Sequence, residues 1–376
     1  MLRRCFLVLI ATGLFVSSRA TADEVIPKSA GVADAKLGVL WYDIKPLGVE
    51  GRGWNDTETF YDRLPSKAKG VVRDPVWGLS KNSAGMSVRF VTDATTIAAR
   101  WKLRSTSLAL PHMPATGVSG VDLYAKLPSG VWHWLAIGKP TAQTNTAVLT
   151  SALEPGKREF QLYLPLYNGV ESVEIGVPES ATLTKAPGWG DRKPIVFYGT
   201  SITQGACASR PGMCYSAIVG RWLDRPVINL GFSGNGKMER EVADLLAELD
   251  PCVFVINTLP NLSAAEVTER TATLVNIVRK AHPVTPIVLC EDRSYANAVF
   301  VKAQRERNDT SRAALRVEYD KLIASGVKNL HFLDGASQLS ADGEDTVDSS
   351  HPTDLGFMHQ AEAMRKVLEP VIGARK

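Results

Sequence analysis

Ser201 closes a strand-like run in the sequence Tyr198-Gly199-Thr200-Ser201-Ile202-Thr203-Gln204-Gly205. Small residues ahead of it allow a sharp turn, so the hydroxyl can reach a substrate while nearby backbone N–H groups point at the same place. Alone, Gly-Thr-Ser fits any strand-ending loop. It is not a Walker A loop, because no Gly-Lys-Ser/Thr follows. Nor is it a Gly-x-Ser-x-Gly elbow, because Thr203 stands where the second glycine belongs. Near the C-terminus stands Asp348-Ser349-Ser350-His351-Pro352, ahead of a final helix that should begin at about Asp354. A serine, an imidazole and a carboxylate together suit one chemistry. A free hydroxyl is a poor nucleophile and needs a base within hydrogen-bond reach. Imidazole changes charge near neutrality, so it can take a proton and return it. A carboxylate on the other ring nitrogen fixes the tautomer and steadies the imidazolium.

The elements that must position these residues have two different periodicities. From about Ala35 to Val177 the pattern is period two: Met86, Val88, Phe90; Ile97, Ala99, Trp101, Leu103; Val121, Leu123, Ala125, Leu127; Phe160, Leu162, Leu164, Leu166. Such strands bury one face and imply an antiparallel sandwich or jelly roll. Ala186–Pro194 reads as a linker. Beyond it, apolar runs at Ile195–Tyr198, Val227–Leu230, Val253–Ile256, Ile287–Leu289 and Leu330–Leu333 alternate with helical spacings such as Val242, Leu245, Leu246, Leu249. Strand and helix alternation implies a parallel sheet covered on both faces, with ligands at the carboxyl ends of its strands. The organisation expected is an all-β domain over 23–185, then an α/β domain over 194–376.

Two further blocks complete a pattern. The second run ends in Asn229-Leu230-Gly231-Phe232-Ser233-Gly234-Asn235-Gly236, and the third in Asn257-Thr258-Leu259-Pro260-Asn261. Four short blocks in order, over roughly residues 194–372, resemble the SGNH (GDSL-like) hydrolase family: Gly-Asp-Ser or a variant, a Gly, an Asn, then Asp-x-x-His. The resemblance implies a flavodoxin-like three-layer α/β/α fold and a serine esterase. It assigns Ser201 as nucleophile, His351 as general base and Asp348 as the carboxylate that orients it. The backbone N–H groups of Ser201 and Gly234 and the side-chain amide of Asn261 would form the oxyanion hole. Gly231 and Gly236 are alternatives to Gly234, and Asn235 and Asn257 to Asn261. Thr200 departs from the family's acidic residue, and Leu259-Pro260-Asn261-Leu262 from its usual Gly-x-Asn-Asp. No cofactor is implied. An N-terminal jelly roll before such a domain resembles carbohydrate acetylesterases, which implies removal of short acyl groups, acetyl first, from sugars or another small ester. The competing readings are a degenerate glycan-binding protein and a lipase.

Other features bound the reading. Met1-Leu2-Arg3-Arg4, the apolar run Cys5–Val16 and Ala20-Thr21-Ala22 read as a signal peptide over 1–22, hence a secreted or periplasmic protein. Its removal takes three arginines and no acid, so 43 basic residues fall to 40 against 39 acidic. That near-neutral balance argues against a nucleic-acid partner. No later stretch reaches about 18 uninterrupted apolar residues, so no membrane span is expected in the mature chain. Cys207 and Cys214 bracket a Pro-Gly turn that could bring them into bridging range, whereas Cys252 and Cys290 read as buried thiols. His112, His133, His282, His331 and His359 read as structural or surface residues, and no His-x-His or His-Glu-x-x-His suggests a metal. Trp132-His133-Trp134 reads as core rather than a sugar platform. Ser105–Gly120 is either a lid or a surface excursion. Glu291-Asp292-Arg293 either lines the site's mouth or is a solvated turn.

Overall fold

Period-two runs become two antiparallel sheets in the computed structural model, which describes residues 24–373; the signal-peptide segment lies outside the described residues. One sheet has five strands in the order Val32–Asp34, Val39–Asp43, Val170–Val177, Ile97–Leu103, Thr144–Thr150. The other runs Leu183–Lys185, Ser87–Thr92, Arg158–Tyr163, Val121–Lys126, Trp132–Gly138, with Val49–Glu50 paired to Ser87–Thr92. Their inner faces meet in one core, where Phe90 stacks on Phe160 with centroids 5.5 Å apart, beside Trp101, Leu123 and Ile175.

The second sheet departs from a one-faced strand pattern. Asp122, Tyr124, Ser87, Arg89, Gln161 and Tyr163 point away from the sandwich core, yet all are buried. The other half of the protein covers that face: Tyr124 and Tyr163 pack on Ala217. Trp132 and Trp134 do not fill the core. A β-bulge between Leu123 and Tyr124 shifts the pairing so that Tyr124 faces Trp134. Trp132 is half-buried beside Tyr124 and Tyr163, and Trp134 is 43% exposed with its indole N–H on Asp122.

Five parallel strands form the second half, in the order Val227–Gly231, Ile195–Gly199, Val253–Asn257, Ile287–Cys290, Leu330–Leu333. Alternation along each strand sorts side chains between two helical layers. Ile195 and Phe197 face helices Tyr215–Leu223 and Asp354–Ile372. Val196 and Tyr198 face helices Arg240–Leu246, Ala264–Ala281 and Lys302–Ala324. This is the expected three-layer α/β/α arrangement. The helix Ala264–Ala281 starts at a reciprocal cap in which Ser263 and Glu266 bond each other's backbone N–H. The two cores are not wholly separate. Leu64, Ala68, Val72 and Val76, which precede most of the sandwich in sequence, lie in the same apolar cluster as Val196 and Leu230. Arg63 anchors that excursion: its buried guanidinium donates to four carbonyls, those of Leu79, Asn82, Asn229 and Gly231. Burial pulls it down to about 9, still protonated at neutral pH.

Candidate active site

Strand Ile195–Gly199 delivers Ser201 to the carboxyl edge of the parallel sheet, next to the crossover where the strand order reverses. Thr200 caps the short helix Ser201–Gln204, its hydroxyl accepting from Ile202 N–H. Gly205, at φ +109°, ends that helix in a backbone region that favours glycine. Ser201 is 8% exposed. Its Oγ lies 2.9 Å from His351 Nε2, and His351 Nδ1 lies 2.8 Å from Asp348 Oδ2. The other Asp348 oxygen accepts the backbone N–H of His351 at 2.8 Å and of Ser350 at 3.0 Å. Burial resists ionisation of Asp348, but these N–H groups and the imidazole outweigh it and hold the carboxyl below its ordinary value. The carboxylate therefore stays charged and keeps a proton on Nδ1, which leaves the Nε2 lone pair facing Ser201.

Of the three expected oxyanion donors, Ser201 opens the helix Ser201–Gln204, and Gly234 and Asn261 follow the strands Val227–Gly231 and Val253–Asn257. Gly234 sits at φ +69° in an exposed turn, and among the described residues its N–H has no hydrogen-bond acceptor. Asn261 ends the turn Leu259–Asn261, half-buried, with its amide 3.5 Å from Gly236 O. That contact is at the outer limit of a hydrogen bond. The alternatives are otherwise engaged. Asn235 accepts from Arg73 and donates to Ser233 O, while Asn257 is buried against Tyr215 OH. Gly231 N–H bonds Asn229 Oδ1, and Gly236 N–H bonds Phe232 O.

Sequence alone assigned several residues at the site no role there. His112 is exposed, as expected, but its ring lies 5.5 Å from that of His351. The Ser105–Gly120 segment therefore reaches the site. Met113 and Val118 anchor it in the core of the α/β half, and Thr116 bonds Ser209 O. Cys207 and Cys214 are not bridged. Cys214 is turned to Thr203 O and Ser216, whereas the Cys207 sulfur faces His112 and His351. Burial, with the Asp348 charge adding, pushes the Cys207 thiol up to about 12, so it stays protonated at neutral pH. Glu291-Asp292-Arg293 is not a solvated turn. Arg293 is buried and braces the loop that carries His351, donating to the Ser350 carbonyl at 2.9 Å, to the Ser350 hydroxyl and to Asp292. Asp292 also holds Arg307 and Asn308.

The sandwich meets the segment after Ser201 through Gly120-Val121-Asp122-Leu123-Tyr124. Buried Asp122 accepts from Gly212 N–H and Arg210 at 2.8 and 2.9 Å, and Tyr124 OH accepts from Arg210. The signal for this contact was a charged residue inside an apolar strand.

Family comparisons agree with the geometry. Residues 192–369 match the GDSL-like lipase/acylhydrolase family model. Residues 39–183 match the N-terminal model of SGNH-hydrolase-type esterases, whose Gly-x-Asp-Leu-Tyr signature is the segment Gly120–Tyr124. A Bacteroides ovatus protein assigned as a GDSL-like lipase is 34% identical, with TM-score 0.84 over 89% of this chain and 98% of that one. The salicylyl-acyltransferase SsfX3 of a tetracycline biosynthetic pathway is 20% identical, with TM-score 0.68 over 93% and 98%. A family two carbohydrate esterase from Clostridium thermocellum, solved with cellohexaose, is 18% identical, with TM-score 0.52 over 76% and 94%. The last two share the fold. No curated protein matches the chain. The chain thus belongs to the GDSL-like (SGNH) hydrolases and is a carboxylic ester hydrolase.

Proposed function

We propose that this hydrolase removes short acyl groups, acetyl in the first instance, from carbohydrate esters, through an acyl-enzyme on Ser201. The observation that carries the mechanism is the unbroken chain from Ser201 Oγ through His351 to Asp348. Ser201 Oγ attacks the acyl carbon as its proton passes to His351 Nε2. The negative oxygen is met by the N–H groups of Ser201 and Gly234 and the amide of Asn261. His351 returns the proton to the leaving sugar oxygen, which departs as an alcohol. A water then gives His351 its proton and attacks the acyl-serine, releasing the acid and restoring Ser201.

Crowding around the nucleophile supports a small acyl group, since the Ser105–Gly120 segment and Cys207 close in on His351. The carbohydrate reading is supported by the two-part architecture shared with the family two carbohydrate esterase, whose own structure holds cellohexaose. The same reading makes the chain an exported protein with a mature N-terminus at Asp23, which N-terminal sequencing checks. No described helix is long and apolar enough to cross a membrane.

Acetate release from acetylated polysaccharides, together with a series of p-nitrophenyl esters, tests the proposal. Rates should fall with acyl length, and a faster octanoate than acetate would overturn the short-acyl reading. Ser201→Ala should lose at least about 10⁴-fold in kcat and keep its fold. Near-native turnover in that variant would refute the mechanism.

A further inference from the structure

Two loops from opposite halves bring soft ligands to the base. The sandwich loop carries His112, the turn after the nucleophile helix carries Cys207, and donor atoms of His112, Cys207 and His351 lie within 4.8 Å of one another. We propose that these three side chains form a zinc site, and that zinc bound there shuts off hydrolysis reversibly by drawing the Nε2 lone pair of His351 away from Ser201. The shut-off rests on His351 being the general base; the site itself does not.

Two imidazoles and a thiolate are zinc's preferred ligands, and three protein ligands leave a fourth position for water. At metal–ligand distances of about 2.0–2.3 Å, tetrahedral neighbours stand roughly 3.5 Å apart, so the three donor atoms need to close by about 1 Å. His112 has that freedom, being exposed and tilted 53° to the His351 ring. Cys207 is the fixed member. It is buried, its backbone is left-handed at φ +71°, and its sulfur makes no hydrogen bond among the described residues. A buried polarisable sulfur directed at two imidazoles has no evident structural partner.

The outer shell of such a site is also present. A metal-bound histidine commonly donates its other ring N–H to a carboxylate, which fixes the tautomer. His351 Nδ1 already does so to Asp348 at 2.8 Å. On binding, Cys207 loses its proton to solvent. The ion takes lone pairs from that sulfur, from a ring nitrogen of His112, from His351 Nε2 and from water. Ser201 keeps its proton and has no base. Hard cations such as Mg²⁺ and Ca²⁺ prefer oxygen and do not suit this donor set.

Cobalt(II) titration of the full-length protein tests the site without relying on turnover. A near-ultraviolet thiolate-to-cobalt absorption should saturate at one equivalent, disappear on adding zinc, and be absent in Cys207→Ser. Zinc should inhibit ester hydrolysis and a chelator should restore it, while Mg²⁺ and Ca²⁺ at the same concentration should not inhibit. Relative to each variant's own metal-free rate, His112→Ala and Cys207→Ser should need at least about tenfold more zinc. His112 is exposed, so its replacement should fold even if that of Cys207 does not. Absence of the thiolate band, or equal zinc sensitivity in wild type and both variants, overturns the site. A band that appears while saturating zinc leaves the rate unchanged overturns the shut-off and counts against His351 as the base. No band in an enzyme that Ser201→Ala inactivates removes the metal site alone.

Discussion

Ser201 and the Asp348–His351 pair it bonds are held by different physics. Around Ser201, backbone segments approach one another closely at glycines. A Cβ on Gly199 would stand 2.6 Å from Asn257 O and 2.0 Å from the Thr203 hydroxyl, one on Gly231 2.1 Å from Gln204 N, and one on Gly236 1.9 Å from Gly199 O. On the base side, the side chains of Asp348 and His351 are 41% and 22% exposed. Their loop is held by Arg293 on Ser350, by Val347 N–H on His351 O, and by a bridge between Thr346 and Pro352. Hard contact fixes the serine, while charge and hydrogen bonds fix the base. Contact has no graded failure, because interiors are close-packed and a clash moves backbone. Charge-held geometry can loosen by degrees.

The largest effect should therefore come from one methyl group. Gly236→Ala puts a carbon against the Gly199 carbonyl, so the two strand ends must part and take Ser201 and Gly234 with them. Activity on p-nitrophenyl acetate should fall at least about 10³-fold, with a lower melting temperature, because overpacking costs about 1–3 kcal/mol or more. A fully active Gly236→Ala would break the comparison at its stronger end.

Asn261→Ala sharpens it by separating location from chemistry. The amide is nearly free, at 3.5 Å from Gly236 O, so its loss should leave the melting temperature close to wild type. As a donor to the developing oxyanion it should nonetheless be worth about 10²–10³ in kcat with little change in KM. Unchanged kcat in steady-state assays would mean that the third donor comes from another residue.

Arg293→Lys probes the base side. Lysine keeps the charge but cannot serve Asp292, the Ser350 carbonyl and the Ser350 hydroxyl together. Asp292 retains Arg307 and Asn308, so the fold should survive. The loop should lose its register with Ser201, and kcat should drop about tenfold, since small misplacements of catalytic groups cost one to two orders of magnitude. Because Arg293 is buried, KM should hold. A rise in KM alone would assign Arg293 to substrate binding.

How much of this was legible in the sequence follows from how local each feature is. Asp348 and His351 are three residues apart and bond each other within one turn, so the pair could be read directly. The parallel sheet showed itself through apolar runs such as Val253–Ile256, because strands covered on both faces have no polar register. What stayed hidden depends on how the halves dock. His112 lies in a loop of no clear pattern and gains meaning only because Met113 is buried in the other half. Asp122 interrupts an apolar strand, and its partners, Gly212 and Arg210, lie about 90 residues away. Cys207 and Cys214 are close in sequence, but the turn between them aims their sulfurs at different neighbours.

The smallest predicted effect is also the one that distinguishes the two sides by pH. Asp348 has its carboxyl lowered in the folded protein because hydrogen bonds from the His351 and Ser350 backbone and from the imidazole outweigh its partial burial. Between that lowered value and the ordinary value of about 3.9, the unfolded chain binds more protons than the folded one, so stability rises with pH there. The contribution is complete above the ordinary value and is lost as pH falls through the folded one. Asp348→Asn should accordingly melt slightly below wild type at neutral pH, with the gap constant down to about pH 5 and closing below about pH 4. The effect is small because the side chain is partly solvated, which screens such interactions. The Gly236→Ala defect arises from contact between uncharged groups and should be the same at every pH where the wild type is folded. Melting curves of the three proteins across pH 3–8 decide the matter, and a gap for Asp348→Asn that widens in acid would contradict a charge-held base loop.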